Sequence, residues 1–466
     1  MAEINESPTL DPRLLNDPGM APVNIPVERT LPAPLGRPDT YIWAIYVFLC
    51  IISVIELYSA SSREVSARSS FGVLAPVVFH CVRLGLGLAI ILYFQSRHYR
   101  TIKTFTWFFV AMSVVMMVYV MLFGEIVNGA RRSLQLPGIA IQPAEFIKLS
   151  AVLVVSMILA RSQMKKGGVS DKGMWWSAGA ILFFSALIVK QGLTNTLLLM
   201  IVSLSMMIIG GVRLKKLAMV LGIYALCGGL FGLYLAFGPH ETKTETVVEV
   251  NVDDAGRITP YEYQVPVVDE DNRLSTWIAR LERFFTGDSI PKYKQPITAE
   301  NRQEMYALIA QSHSHGVGVF PGNSRETSRL PLAFSDFIFS IIVEDAGLFG
   351  AIFVIFLYFC LLGRASGIAS RCARAYPALL VIGMALMIVV QAIVHMCINV
   401  GIMPVSGQPL PLISKGGTSI LTTSIALGIM LSVSRYAAGS RHKRQEIKQE
   451  LDALPEELRA QNPTQL

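Results

Sequence analysis

Ten stretches of the chain are almost continuously apolar, and each comes close to or exceeds the length a helix needs to cross a bilayer: 41–59, 74–94, 105–123, 144–160, 175–189, 196–210, 217–237, 337–362, 377–400 and 418–433. Lipid leaves an open backbone unsatisfied, so helices are the simplest conformation for all of them. Between them the polar residues are not evenly spread. Lys and Arg crowd the loops after even-numbered spans: Arg97, Arg100 and Lys103; Arg161, Lys165, Lys166 and Lys172; Arg213, Lys215 and Lys216; Arg364, Arg371 and Arg374; and Arg435, Arg441, Lys443 and Arg444. Basic short loops stay in the cytoplasm. The expected fold class is an all-α polytopic membrane protein of ten transmembrane helices, with both termini cytoplasmic and one large extracytoplasmic loop between helices seven and eight.

This divides the chain into a proline-rich cytoplasmic head (1–40), helices one to seven (41–237), the large outer loop (238–335), helices eight to ten (336–438) and a cytoplasmic tail (439–466). The head carries eight prolines in its first 38 residues and no apolar core, so it is expected to be disordered and is not a cleavable signal peptide. The outer loop, about 98 residues long, has three parts. Residues 245–268, ETVVEVNVDDAGRITPYEYQVPVV, alternate apolar and polar around a turn and predict a β-hairpin. Residues 275–288, STWIARLERFFTGD, predict an amphipathic helix on the outer membrane surface. Residues 300–324, ENRQEMYALIAQSHSHGVGVFPGNS, predict a short helix running into a glycine-rich turn.

Composition agrees with this picture: 52% hydrophobic, 16% charged, and a mean hydropathy of +0.49. The net charge of +7 is largely the topological signal already described, so nucleic acid is not an expected partner. The cysteines Cys50, Cys81, Cys227, Cys360, Cys372 and Cys397 show no paired spacing, which predicts neither disulfides nor a metal cluster.

The candidate chemistry lies at the outer ends of the spans. In NGARRSLQLPGIAIQPAEFIKLS (128–150), Arg131 and Arg132 lie outside, and Gln142, Glu145 and Lys148 enter lipid on span four. Glu145 and Lys148 are three apart and share a helical face, either as a structural ion pair or facing a polar cavity. Arg131 and Arg132 could equally contact phospholipid headgroups. Asp336 opens span eight, with Ser335 as a possible N-cap; the bland reading is a first-turn capping acid, the sharper one a proton acceptor at the outer surface. Glu344 and Asp345 lie about 12 Å deeper by helical rise and on another face, and read as structural. His313 and His315 lack a third metal ligand and read as polar loop residues. Glu56, His80 and Arg83 are ionisable within spans, and read as packing, with a possible Glu56–Arg83 pair.

Several motifs in order resemble the SEDS family, which comprises FtsW, RodA and SpoVE: YSAS (58–61), NGARR (128–132) with QPAEFIK (142–148), GVGVFPGNS (316–324), LPLAFSDFIFSIIVEDAG (330–347) and QAIVHMCINVGIMPVSGQPLPLISKGGTS (391–419). The resemblance implies peptidoglycan glycosyltransfer, the polymerisation of lipid II on the outer face of the cytoplasmic membrane. It makes Asp336 the essential aspartate, general base on the acceptor hydroxyl. By the same resemblance Arg131, Arg132 and Lys148 would meet the pyrophosphate, Glu145 would orient Lys148 or hold water, and Gln142, Asn323, Ser324, Ser414 and Lys415 would lie near substrate. It implies Mg²⁺ or Mn²⁺, though its ligands are unassigned, and as partners a class B penicillin-binding protein and other divisome proteins. The long head and the GQPLPLIS wording (407–414) are more similar to FtsW than to RodA, which implies action at the septum. An elongation polymerase, a lipid II flippase and a noncatalytic scaffold are the alternatives. QGLTNT (191–196) departs from the family's Pro-Asp-Leu-Gly-Thr run, Lys415 replaces an aromatic before Gly-Gly, and Ala140 stands where some members carry a basic residue.

Overall fold

The computed structural model describes residues 36–61, 74–126, 131–136, 139–164, 167–189, 191–237, 244–252, 258–266, 297–298, 301–326, 330 and 334–453. The proline-rich head up to residue 35, the 275–288 stretch read as an amphipathic helix, and the tail after residue 453 lie outside them. Ten apolar helices occupy the ten expected stretches: α1 (Thr40–Ser61), α2 (Leu74–Ser96), α3 (Tyr99–Phe123), α4 (Pro143–Arg161), α5 (Asp171–Val189), α6 (Leu193–Ile209), α7 (Leu214–Phe237), α9 (Ile338–Ala369), α10 (Ala375–Asn399) and α11 (Gly417–Ala453). The shorter α8 (Arg302–His313) precedes α9, as the 300–324 pattern predicted. Among the described residues, eight helices are long and apolar enough to cross a membrane, and α6 is apolar but shorter.

Strands are confined to the connections. β4 (Thr244–Val252) and β5 (Ile258–Pro266) form the expected antiparallel hairpin, pairing Thr244 with Pro266 and Val252 with Ile258. A second sheet was not anticipated: β1 (Glu125–Ile126), β2 (Arg131–Leu136) and β3 (Ile139–Ile141) form a meander between α3 and α4. Its strands are too short for alternation to stand out from a loop.

Two elements differ from expectation. The helix opening at Asp336 actually begins at Ile338, with Phe337 as N-cap, and runs past residue 362 to Ala369 with a break at Gly347 (φ 65°, ψ −161°). Ser335 is therefore not its cap. α11 continues well beyond 433, because the polar segment that follows is rich in Ala, Arg, Lys, Gln and Glu, all good helix formers.

The helices sort into interior and lipid-facing sets. α4 is buried on almost every side, enclosed by α3, α5, α6 and α10, as expected of a helix apolar all round. α2 and α3 instead expose Phe79, Val82, Phe105, Trp107 and Phe108, an apolar surface suited to lipid. α11 packs chiefly on α2, where small residues let the backbones approach: a Cβ on Gly428 would lie 3.1 Å from the Ile91 carbonyl oxygen.

Candidate active site at the turn before α9

Residues 334–336 form a turn whose backbone carbonyls are all taken. Lys415 N–H donates to Phe334 O at 2.9 Å, Ser414 Oγ to Ser335 O at 2.6 Å, and Asn399 Nδ2 to Asp336 O at 3.1 Å. The grip falls on the main chain, and the Asp336 carboxylate is half-buried. Ser335 Oγ–H donates to its Oδ1 at 2.8 Å, orienting it. The first turn of α9 follows directly and sets the partial positive charge of a helix N-terminus next to an acid.

Asn399 does more than brace this turn. Its Oδ1 accepts from Ser340 N at 3.1 Å and from Ser340 Oγ at 3.0 Å, so a residue of α10 caps α9. Gln311 of α8 closes the knot, its Nε2 donating to Asn399 O at 2.6 Å. Asn399 belongs to a stripe with Gln391 and His395, four residues apart on one face of α10. His395 Nδ1–H donates to Gln408 O at 2.6 Å, and Gln391 Nε2 to Pro409 O at 3.1 Å. The stripe thus fastens both the 400–416 loop and the Asp336 turn. Its spacing was legible in QAIVHMCIN, but an apolar helix offers no sign of which polar residues grip backbone.

Glu145 and Lys148 are brought together, buried at 4% and 3% exposure, with Nζ 2.8 Å from Oε1. Lys148 Nζ also donates to Gln391 Oε1 at 2.9 Å, joining this pair to the α10 stripe. The void beside Lys148 measures about 10 Å³, room for at most one water. Arg131 and Arg132 begin β2, which pairs with β3 and so runs into Gln142, the N-cap of α4; their side chains lie outside what is described. Gln142 N–H donates to Thr418 Oγ1 at 2.9 Å.

Ser324 is buried against α9. Glu344 accepts from Ser324 Oγ and from Arg325 N (2.9 Å), while Asp345 accepts from Ser59 Oγ, which itself takes Gly322 N–H at 2.7 Å. Val319 N–H and Phe320 N–H donate to the carbonyls of Glu344 and Asp345, both at 2.9 Å. The glycine-rich strap therefore lies along α9 at its Gly347 break. Asn323 is exposed, its Nδ2 on Val319 O at 3.0 Å. His313 Nδ1 lies 3.5 Å from Glu326 and 3.9 Å from Glu344, so it faces two buried acids instead of standing as a polar loop residue.

A cavity of about 320 Å³ opens beside this assembly. It is bounded by residues 191–201, Val394 and Ile398 of α10, and the 403–408 loop; of the predicted site residues only Gln142 lines it. Val405 connects the two, lining the cavity and packing on the Phe337 cluster. Sequence reading set 191–196 aside as a lost acid and missed its role as cavity wall.

The profile of the FtsW/RodA/SpoVE family, described as cell cycle protein, matches residues 39–238 and 289–439. The chain belongs to this family. Its β4–β5 hairpin falls in the stretch the family profile skips. A probable peptidoglycan glycosyltransferase FtsW of Xanthomonas oryzae pv. oryzae is 26% identical over 88% of this chain and 76% of its own length. Stage V sporulation protein E of Bacillus subtilis is 26% identical over 86% of this chain and 98% of its own. The FtsW/RodA/SpoVE fold is seen again in the RodA structure of Thermus thermophilus, 21% identical with a TM-score of 0.55 over 85% of this chain and 97% of that one. A chain in a peptidoglycan synthase complex, described as coordinating polymerization and crosslinking, gives 20% identity and a TM-score of 0.59 over 86% and 98%.

Proposed function

We propose that this chain is a peptidoglycan glycosyltransferase that polymerises lipid II at the outer face of the cytoplasmic membrane. The observation that carries this reading is the Asp336 turn, held through three carbonyls by Asn399, Ser414 and Lys415, from the same helix and loop that wall an apolar-lined cavity. Asp336 takes the proton from the acceptor sugar hydroxyl as that oxygen attacks the anomeric carbon of the donor; the bond to the polyprenyl pyrophosphate breaks and the leaving group departs with the electron pair. A positioned base contributes about 10²- to 10⁴-fold. Curated relatives named FtsW support the reaction class.

The leaving group needs cations. Arg131 and Arg132 supply them, while Lys148, committed to Glu145 and Gln391, positions the neighbouring loop. Among the described residues no group of three or more His, Cys, Asp and Glu suits a metal ion. If Mg²⁺ or Mn²⁺ binds with the substrate, Asp336 is the residue that would hold it, alongside its part in placing the acceptor. Bound there, it would neutralise the departing pyrophosphate.

Both termini are cytoplasmic in this reading, following the basic loops. The partner is a class B penicillin-binding protein that crosslinks the strands, together with other divisome proteins, and the site of action is the septum; the FtsW-named relatives and the long head support division over elongation. Purified chain given lipid II and a divalent cation should yield polymer on a gel. Asp336→Ala should abolish it and Asp345→Asn should not. Absence of polymer with the transpeptidase present would sink the polymerase reading, and polymer from Asp336→Ala would sink the assignment of the base.

A further inference from the structure

Four residues that line the cavity of about 320 Å³ each carry a buried polar atom with no hydrogen-bond partner among the described residues: Gln191 Nε2, Asn195 Oδ1, Ser406 Oγ and Gln408 Oε1. Gln191 and Gln408 are each only 4% exposed. Buried polar groups in native proteins are nearly always paired, so four in one cavity mark a place where something else supplies the partners. One amide donor, two carbonyl acceptors and a hydroxyl match a ligand bearing several hydroxyl or carboxamide groups. Leu197, Leu198, Ile201, Val394 and Ile398 supply the apolar walls. None of the described lining residues carries a charge, so an ionised group would be desolvated there without a counter-ion.

We propose that this cavity is a subsite for one uncharged sugar ring of the lipid-linked substrate, its hydroxyl and acetamido groups paired with Gln191, Asn195, Ser406 and Gln408, and its pyrophosphate held outside. The identity of the ligand rests on the polymerase reading given above. The volume is in the range of small-molecule pockets, about 300 to 1,000 Å³. The position suits the role, since the 403–408 loop that walls the cavity is the one fastened by the α10 stripe that also grips Asp336.

The test uses the full chain in phosphatidylcholine nanodiscs, titrated with dodecyl N-acetyl-β-D-glucosaminide and, in competition, with dodecyl phosphate. The glycoside should bind saturably and dodecyl phosphate should not displace it. Gln191→Met and Gln408→Met, which remove hydrogen bonds at similar volume, should each weaken binding by about fivefold or more. In the polymerisation assay they should raise KM for lipid II with kcat largely kept. Ser406→Ala, in a partly exposed loop, should weaken binding by about two- to fivefold and keep the wild-type unfolding midpoint, which preserves the test if a core variant fails to fold. Displacement by dodecyl phosphate, no binding of the glycoside, or wild-type affinity in the folded variants would overturn the subsite. A chain that binds the glycoside as stated but makes no polymer would instead overturn the polymerase reading and leave a neutral-glycolipid site.

Discussion

Asn399 shows how much one side chain can organise. Its amide group serves the Asp336 carbonyl, the Ser340 amide and the Ser340 hydroxyl, and its own carbonyl takes Gln311. Asn399→Leu would take the Asn399 donor from the Asp336 carbonyl and the acceptor from the Ser340 hydroxyl, at about 1–3 kcal/mol each. Activity should fall more than about tenfold, chiefly in kcat, because the carboxylate loses its placement while the cavity walls remain. Kinetics with lipid II check this, and an unchanged kcat would count against the brace. Asp336→Asn should differ in kind: its backbone carbonyl still accepts from Asn399, so the unfolding midpoint should hold while polymerisation drops by about 10²-fold or more. At this scale the sequence was partly legible. Asp336 and the Glu145–Lys148 pair could be read from motif and spacing, but the work of Gln391, His395 and Asn399 could not, since their partners lie on other elements.

Among the elements, the strap at 316–324 and the break in α9 depend on each other. Gly318 sits at φ +93°, and a Cβ there would lie 2.4 Å from the Asp345 carbonyl oxygen. Gly318→Ala should therefore lift the strap, destabilising the chain by about 1–3 kcal/mol and making the 316–324 segment cleavable by added protease. Digestion of nanodisc-embedded protein would reveal it. The α2–α3 junction supplies a pH dependence. His98 caps α3, its Nδ1 accepting Arg100 N–H at 3.0 Å, and burial, with Arg100 and Arg374 nearby, holds its imidazole below the ordinary 6.5. The unfolded chain binds this proton more readily, so the contribution of His98 is complete above pH 6.5 and declines as pH falls through 6.5 toward the lower folded value. The unfolding midpoint should drop more steeply between about pH 7.5 and about pH 5.5 in wild type than in His98→Asn, which keeps a capping acceptor but does not titrate. Helix existence was legible from apolar length; the break at Gly347 was not, because a glycine inside an apolar run reads as continuous helix.

Across the whole molecule, the two ends are tied differently. One end carries the Asp336 turn, the strap and the 400–416 loop. At the other, Asp39 takes Arg364 through Nε at 2.9 Å and Nη2 at 2.8 Å, and Arg435 donates to the Gln95 carbonyl at 3.1 Å, linking the entry of α1 with α9, α11 and α2. The basic loops predict that this second end is cytoplasmic. In a cysteine-free background, Asn323→Cys should react with an impermeant maleimide added outside cells, and Arg371→Cys only after permeabilisation. The reverse pattern would invert the topology and place Asp336 on the wrong side for lipid II polymerisation.

By itself the sequence determined the placement of the apolar helices, the hairpin at β4–β5 and the family motifs, because these follow from local hydropathy, alternation and residue order. Tertiary structure alone decided that Lys148 is committed to Glu145 and Gln391, that Ser324 is tied to Glu344, and that 191–196 walls a cavity. Those outcomes depend on which buried polar groups find partners on distant helices, and in a bilayer that pairing is set by packing across the bundle.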